Sequence, residues 1–76
     1  MLIHLEYSFM EITVNNQTYQ FGAPSTLKDV LEKLGLEGKN GIAVAVNEQI
    51  ISHNEWQNTI LNNEDKIILI GAVAGG

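Results

Sequence analysis

The chain contains no cysteine, which excludes disulfides, thiolate metal sites and a cysteine nucleophile. Any sulfur chemistry must use sulfur supplied from outside. It also contains no arginine: four lysines face nine acidic residues, for a net charge of −5. That balance opposes nucleic acid and anionic membrane as partners and favours a partner with a basic or apolar docking surface. Without the guanidinium that binds phosphate through two parallel hydrogen bonds, a nucleotide site on this chain is not expected. Imidazole is scarce as well. His4 and His53 lie far apart, and neither sits in a metal-ligand spacing. Both read as ordinary surface or turn histidines, and neither a metal nor another cofactor is expected. No apolar stretch is long enough to span a bilayer. Residues 1–9 lack the basic start and unbroken apolar segment of a signal peptide, so the expected location is the cytoplasm.

What is present is a single small domain. At 76 residues, 45% hydrophobic and 17% charged, the chain is globular in composition, and a domain of this size buries only ~60% of its unfolded surface. The most informative stretch is the last, Ile67-Ile68-Leu69-Ile70-Gly71-Ala72-Val73-Ala74-Gly75-Gly76. Four branched apolar residues after the polar turn Asn62-Asn63-Glu64-Asp65 predict a strand covered over much of both faces. After Ile70 the side chains shrink almost to nothing. Glycine has no Cβ, so a tail ending Gly75-Gly76 can enter a channel that larger residues would block, delivering the Gly76 carboxylate. The plain alternative is a frayed end whose small residues do not pack.

Along the chain, Ile3, Leu5, Tyr7 and Phe9 alternate with polar residues, but at Met10 the parity slips to Met10, Ile12 and Val14. The two runs cannot form one regular strand showing a single apolar face. Residues 1–9 are therefore read as a dispensable extension, and residues 10–76 as the domain, with a flexible tail over about 71–76. Met10 to Val14 and Thr18 to Phe21 predict a hairpin turning at Asn15-Asn16, with Tyr19 and Phe21 on one face. Gly22-Ala23-Pro24 is expected to break the sheet. Thr26 then caps a helix, with Asp29 completing a near capping box. Leu27, Val30, Leu31 and Leu34 form its apolar stripe, Gly35 ends it, and Asp29–Lys33 is expected as a surface pair. Ile42 to Val46 reads as a strand with residues 42, 44 and 46 on one face and alanines on the other. Asn47-Glu48 turns the chain into a short strand over Gln49 to Ile51, and Trp56 follows as a lid on the core. The elements give an α+β fold with the helix packed across one sheet face. The last strand is placed centrally, parallel to the first.

This order of elements and the ending together resemble the β-grasp, ubiquitin-like proteins, and among them the ThiS-type sulfur carriers of thiamin thiazole biosynthesis. The resemblance covers roughly residues 10–76. It rests on Met-Glu-Ile-Thr-Val-Asn at 10–15, Thr-Leu-Lys-Asp-Val-Leu-Glu-Lys-Leu at 26–34, Ala-Val-Ala-Val-Asn-Glu-Gln-Ile-Ile at 43–51, Trp56, Asp65 and Val-Ala-Gly-Gly at 73–76. Ser52-His53 departs from the family's usual proline and basic residue, and Glu64 from its usual glycine.

The resemblance implies a mixed sheet of four to five strands with one main helix across one face. It also implies a function. A ThiF-like adenylating enzyme, using ATP, activates the Gly76 carboxylate, and a cysteine desulfurase or other donor supplies the sulfur that makes it a thiocarboxylate. Thiazole synthase then receives that sulfur. On this reading the chain is a carrier and no enzyme. It has no catalytic residue, Val73, Ala74 and Gly75 enter the partners' active sites, and Ile70 and Ala72 dock. Two rivals share the fold. One is the small subunit of molybdopterin synthase, which has the same ending. The other is a ubiquitin-like protein modifier, whose tail carries arginines where this chain reads Gly71-Ala72-Val73-Ala74.

Overall fold

A computed structural model describes residues 8–36 and 41–71. The elements are β1 (Ser8–Val14), β2 (Gln17–Ala23), α1 (Leu27–Lys33), β3 (Ile42–Val46), β4 (Gln49–Ile51), a 3-10 segment (His53–Asn58) and β5 (Lys66–Gly71). The strands form one mixed sheet in the order β2-β1-β5-β3-β4. β5 lies at its centre, parallel to β1 and antiparallel to β3. Both placements are those expected from its apolar run.

Each hairpin turns on two residues at positive φ, Asn15 (49°) and Asn16 (72°) in the first, Asn47 (51°) and Glu48 (73°) in the second. This is the turn geometry that matches strand twist, and asparagine accepts it at low cost. α1 starts in a full capping box: the Asp29 amide donates to Thr26 Oγ1 (3.1 Å) and the Thr26 amide to Asp29 Oδ2 (2.9 Å). That backbone hydrogen bond is the main reason the Asp29 carboxyl lies below its usual range, ahead of its bond from the Thr26 hydroxyl and the charges of Lys33 and Lys28. The helix ends where Gly35 takes a φ of 74°, so that the Leu36 amide reaches the Leu31 carbonyl and the Gly35 amide that of Glu32. Such a left-handed end is open to glycine without a Cβ penalty.

Leu27, Val30 and Leu31 of α1 pack with Met10, Ile12, Val14, Phe21, Val44 and Ile67 of the sheet, and Trp56 and Leu61 close the core. Trp56 is only 3% exposed. Its Nε1–H donates to the Ile51 carbonyl (3.1 Å), which satisfies the one polar atom of the ring. The exposed His53 stands edge-on to that ring at 4.4 Å.

Four local expectations are corrected. β1 begins at Ser8, with Ser8 opposite Ala23 and Phe9 opposite Gly22. The parity slip moves the apolar side chain to the other face, leaving Phe9 64% exposed and Met10 buried, without ending the strand. For the same reason Gly22 and Ala23 continue β2 rather than breaking it. On the helix surface the ion pair within 4 Å is Lys28–Glu32 at 3.9 Å, in place of Asp29–Lys33, because Asp29 is turned back to cap Thr26. Finally, the second face of β5 is covered only in part: Ile67 is fully buried and Ile68 half-buried, while Ile70 is 51% exposed.

Candidate functional site

The expected reacting residues, Gly76 with Gly75, Ala74, Val73 and Ala72, lie outside the described residues, as do His4 and residues 1–7. The structure shows the platform from which they start: β5, its supports, and the sheet face opposite α1.

Two asparagines hold β5 from either side. Asn15, first residue of the β1–β2 turn, donates its main-chain N–H to the Ile67 carbonyl (3.0 Å) and accepts the Leu69 amide on Oδ1 (2.8 Å). Asn47, first residue of the β3–β4 turn, donates its N–H to the Lys66 carbonyl (2.8 Å) and accepts the Lys66 amide on Oδ1 (2.9 Å). Both side chains therefore stand in for strand neighbours where the ladders run out. Asn47 does more. Its Nδ2 donates to Oδ1 of Asp65 (2.9 Å), a carboxylate only 8% exposed whose Oδ2 accepts the Asn62 amide (2.8 Å). The buried charge is thus hydrogen-bonded on both oxygens. The same loop reaches β1 through Glu11 N–H to Asn63 Oδ1 (2.8 Å) and Glu64 N–H to the Glu11 carbonyl (2.7 Å). Glu64, where the resembled family commonly has glycine, holds a φ of 72°.

The face away from α1 is apolar at the β4-β3-β5 side. Ile50 of β4 and Ile68 of β5 both pair with Ala45, and Ile70 pairs with Ala43. Ile50 is 61% exposed and Ile70 51%, with the small Ala45 buried between its neighbours. Exposed large apolar groups in one register mark an interaction surface more readily than single exposed residues do. Ile70, expected from the resemblance to dock, lies on this face, whereas Ile50 was missed. The alternation of Ile42-Ala43-Val44-Ala45-Val46 was the available signal, since β4 must put Ile50 beside Ala45.

Directly after Ile70 comes Gly71, the last rung of β5, opposite Ile42. A Cβ there would lie 2.7 Å from Ile42 Cγ2, 2.9 Å from Ile42 Cα and 3.0 Å from the Gly41 carbonyl oxygen. Two of those atoms are backbone and cannot swing aside, so this close approach needs glycine.

Among the described residues no helix is long and apolar enough to cross a membrane. A model of the family described as the ThiS family matches residues 7–76. The sulfur carrier protein ThiS of Escherichia coli (strain K12) is 36% identical over 67 residues, 88% of this chain and all of that protein. The crystal structure of a thiamine biosynthesis protein (ThiS) from Geobacter metallireducens superposes with a TM-score of 0.72 at 17% identity, covering 88% of this chain and all of that one. At that identity the structure bears on the fold, which it shares, a β-grasp. A family match running from the first rungs of β1 through the Gly-Gly end, joined to this identity over a relative's full length, places the chain in the ThiS family of sulfur carriers.

Proposed function

We propose that this chain carries sulfur for the thiazole ring of thiamin as a C-terminal thiocarboxylate on Gly76. The carboxylate attacks ATP on a ThiF-like adenylating enzyme and pyrophosphate leaves, giving an acyl adenylate. Sulfur from a cysteine desulfurase or other donor then displaces AMP, because carboxylate oxygen leaves poorly until it is adenylated. Thiazole synthase consumes the sulfur. The chain supplies a carboxyl group and a docking face but no catalytic group, and works in the cytoplasm. Ile70 and Ala72 contribute to docking, while Val73, Ala74 and Gly75 follow into the partner's channel.

The observation that supports this best is the family match continuing through Gly76, in a chain whose exposed apolar face ends one residue before the tail begins. The test is intact mass after incubation with the adenylating enzyme, ATP and a sulfur source. Exchange of one oxygen for sulfur is expected, confined to the C-terminal peptide, and lost on deletion of Gly76. Gly75→Val keeps the carboxylate but adds a β-branched side chain, and activation should fall steeply. Ile70→Glu should weaken docking and leave melting nearly unchanged. Conjugation to lysines with no sulfur gained would overturn the carrier reading.

A further inference from the structure

The Leu69 amide points to Asn15, on the β1 side of β5. Main-chain groups alternate along a strand, so those of Gly71 point the same way, and Ile42–Gly71 is a pair that exchanges no hydrogen bond with its partner strand. In such pairs the two Cα atoms come closest, at about 4.5 Å. On the β1 side, the β1–β5 register ends at Val14 opposite Ile67. The last rung of the sheet before the tail is thus held by close packing of a bare Cα against Ile42, and that packing fails if a Cβ is added. Ordinary contact begins at 3.4 Å, whereas the Cβ would stand at 2.7 Å. The strand end would have to move off β3.

We propose that Gly71 is a positioning residue for activation of the tail: its missing side chain lets β5 close on Ile42, which fixes the point and heading from which the tail leaves the docking face. This rests on the thiocarboxylate reading above. Ile70, on that face, and Gly71, at the tail's root, are consecutive, so any lift at Gly71 moves the tail relative to a body that remains docked. The five residues beyond Gly71 span at most about 17 Å, and reacting atoms must meet at about 3–3.5 Å. With the tail drawn out to nearly that length in the partner's channel, no slack is left, and an offset at the root is carried to the carboxylate.

The experiment compares the wild type with Gly71→Ala, and with a variant bearing one glycine inserted between Gly71 and Ala72. The insertion keeps the rung and lengthens the tail by about 3.5 Å. Three quantities are read: the nuclear Overhauser cross-peak between the α-protons of residues 71 and 42, the Kd for the adenylating enzyme, and kcat for adenylation. In Gly71→Ala the cross-peak should vanish and kcat fall about tenfold or more, with Kd within about twofold of wild type, a split that simple destabilisation does not produce. The insertion should keep the cross-peak and Kd and also lose kcat. If Gly71→Ala does not fold, the insertion decides. Wild-type kcat in the insertion, or in a folded Gly71→Ala, overturns the proposal. A Kd that worsens in step with the loss of turnover makes Gly71 part of the docking face and overturns it too. A wild type that is never adenylated removes the functional reading itself, a separate failure visible in the control.

Discussion

The two hairpin turns have the same length, the same pair of positive φ values and the same leading residue, yet they carry different duties. Asn15 and Asn47 each donate a main-chain N–H to β5 and accept a β5 amide on Oδ1. Only Asn47 also uses its amide nitrogen, on the buried Asp65 carboxylate. An asparagine that caps a strand contributes a neutral hydrogen bond. One that in addition solvates a buried charge is tied to that charge's desolvation, which is far costlier to leave unmet. The second hairpin is therefore the less replaceable of the two.

Breaking that difference gives the largest expected effect. Asn47→Asp sets a second carboxylate against Asp65 and should cost about 3 kcal/mol or more at neutral pH, and Asn47→Ala about 1–3 kcal/mol. Urea denaturation of both variants at neutral pH checks this, and losses no greater than those at Asn15 would break the argument. Asn15→Ala should lose about 1 kcal/mol, and Asn15→Asp, which keeps the acceptor for Leu69, less still.

The smallest effect sharpens the comparison at the second turn residues. Asn16 and Glu48 share almost the same φ, but asparagine tolerates that region and glutamate does not. Glu48→Gly should raise stability by up to ~1 kcal/mol, about 4–8 °C in melting temperature for a domain of this size. Asn16→Gly should change little. Equal shifts at the two positions would show that backbone strain does not separate the turns.

These hairpins show what was legible in the sequence. Asn-Asn and Asn-Glu between alternating apolar runs gave the turns, the stripe Leu27-Val30-Leu31 gave the helix and its buried face, and the run at 67–70 gave the central strand. All of these are local patterns with a fixed period. Three things were less accessible. The reach of Asn47 to Asp65 joins residues 18 positions apart, and no spacing rule announces it. The extent of β1 was hidden by the parity slip, because Phe9 faces the uncovered side. Gly71 resembled the other small residues of the tail, whereas its role depends on how near β3 comes. For the candidate site, the ending singled out Gly76, which lies outside the described residues, and the resemblance named Ile70 for docking, while the open face of β5 and the exposure of Ile50 needed the register to be seen.

The central position of β5 has a mechanical consequence. A force applied to the residues beyond Gly71 acts along β5, nearly perpendicular to the hydrogen bonds that join it to β3. The rungs from Val46–Ile67 to Ile42–Gly71, and the asparagine bonds at either side, are then loaded together in shear, not opened one after another as when an edge strand is peeled. Traction on the C-terminal end of β5 is therefore met by these bonds at once, and the sheet yields only when they give way together.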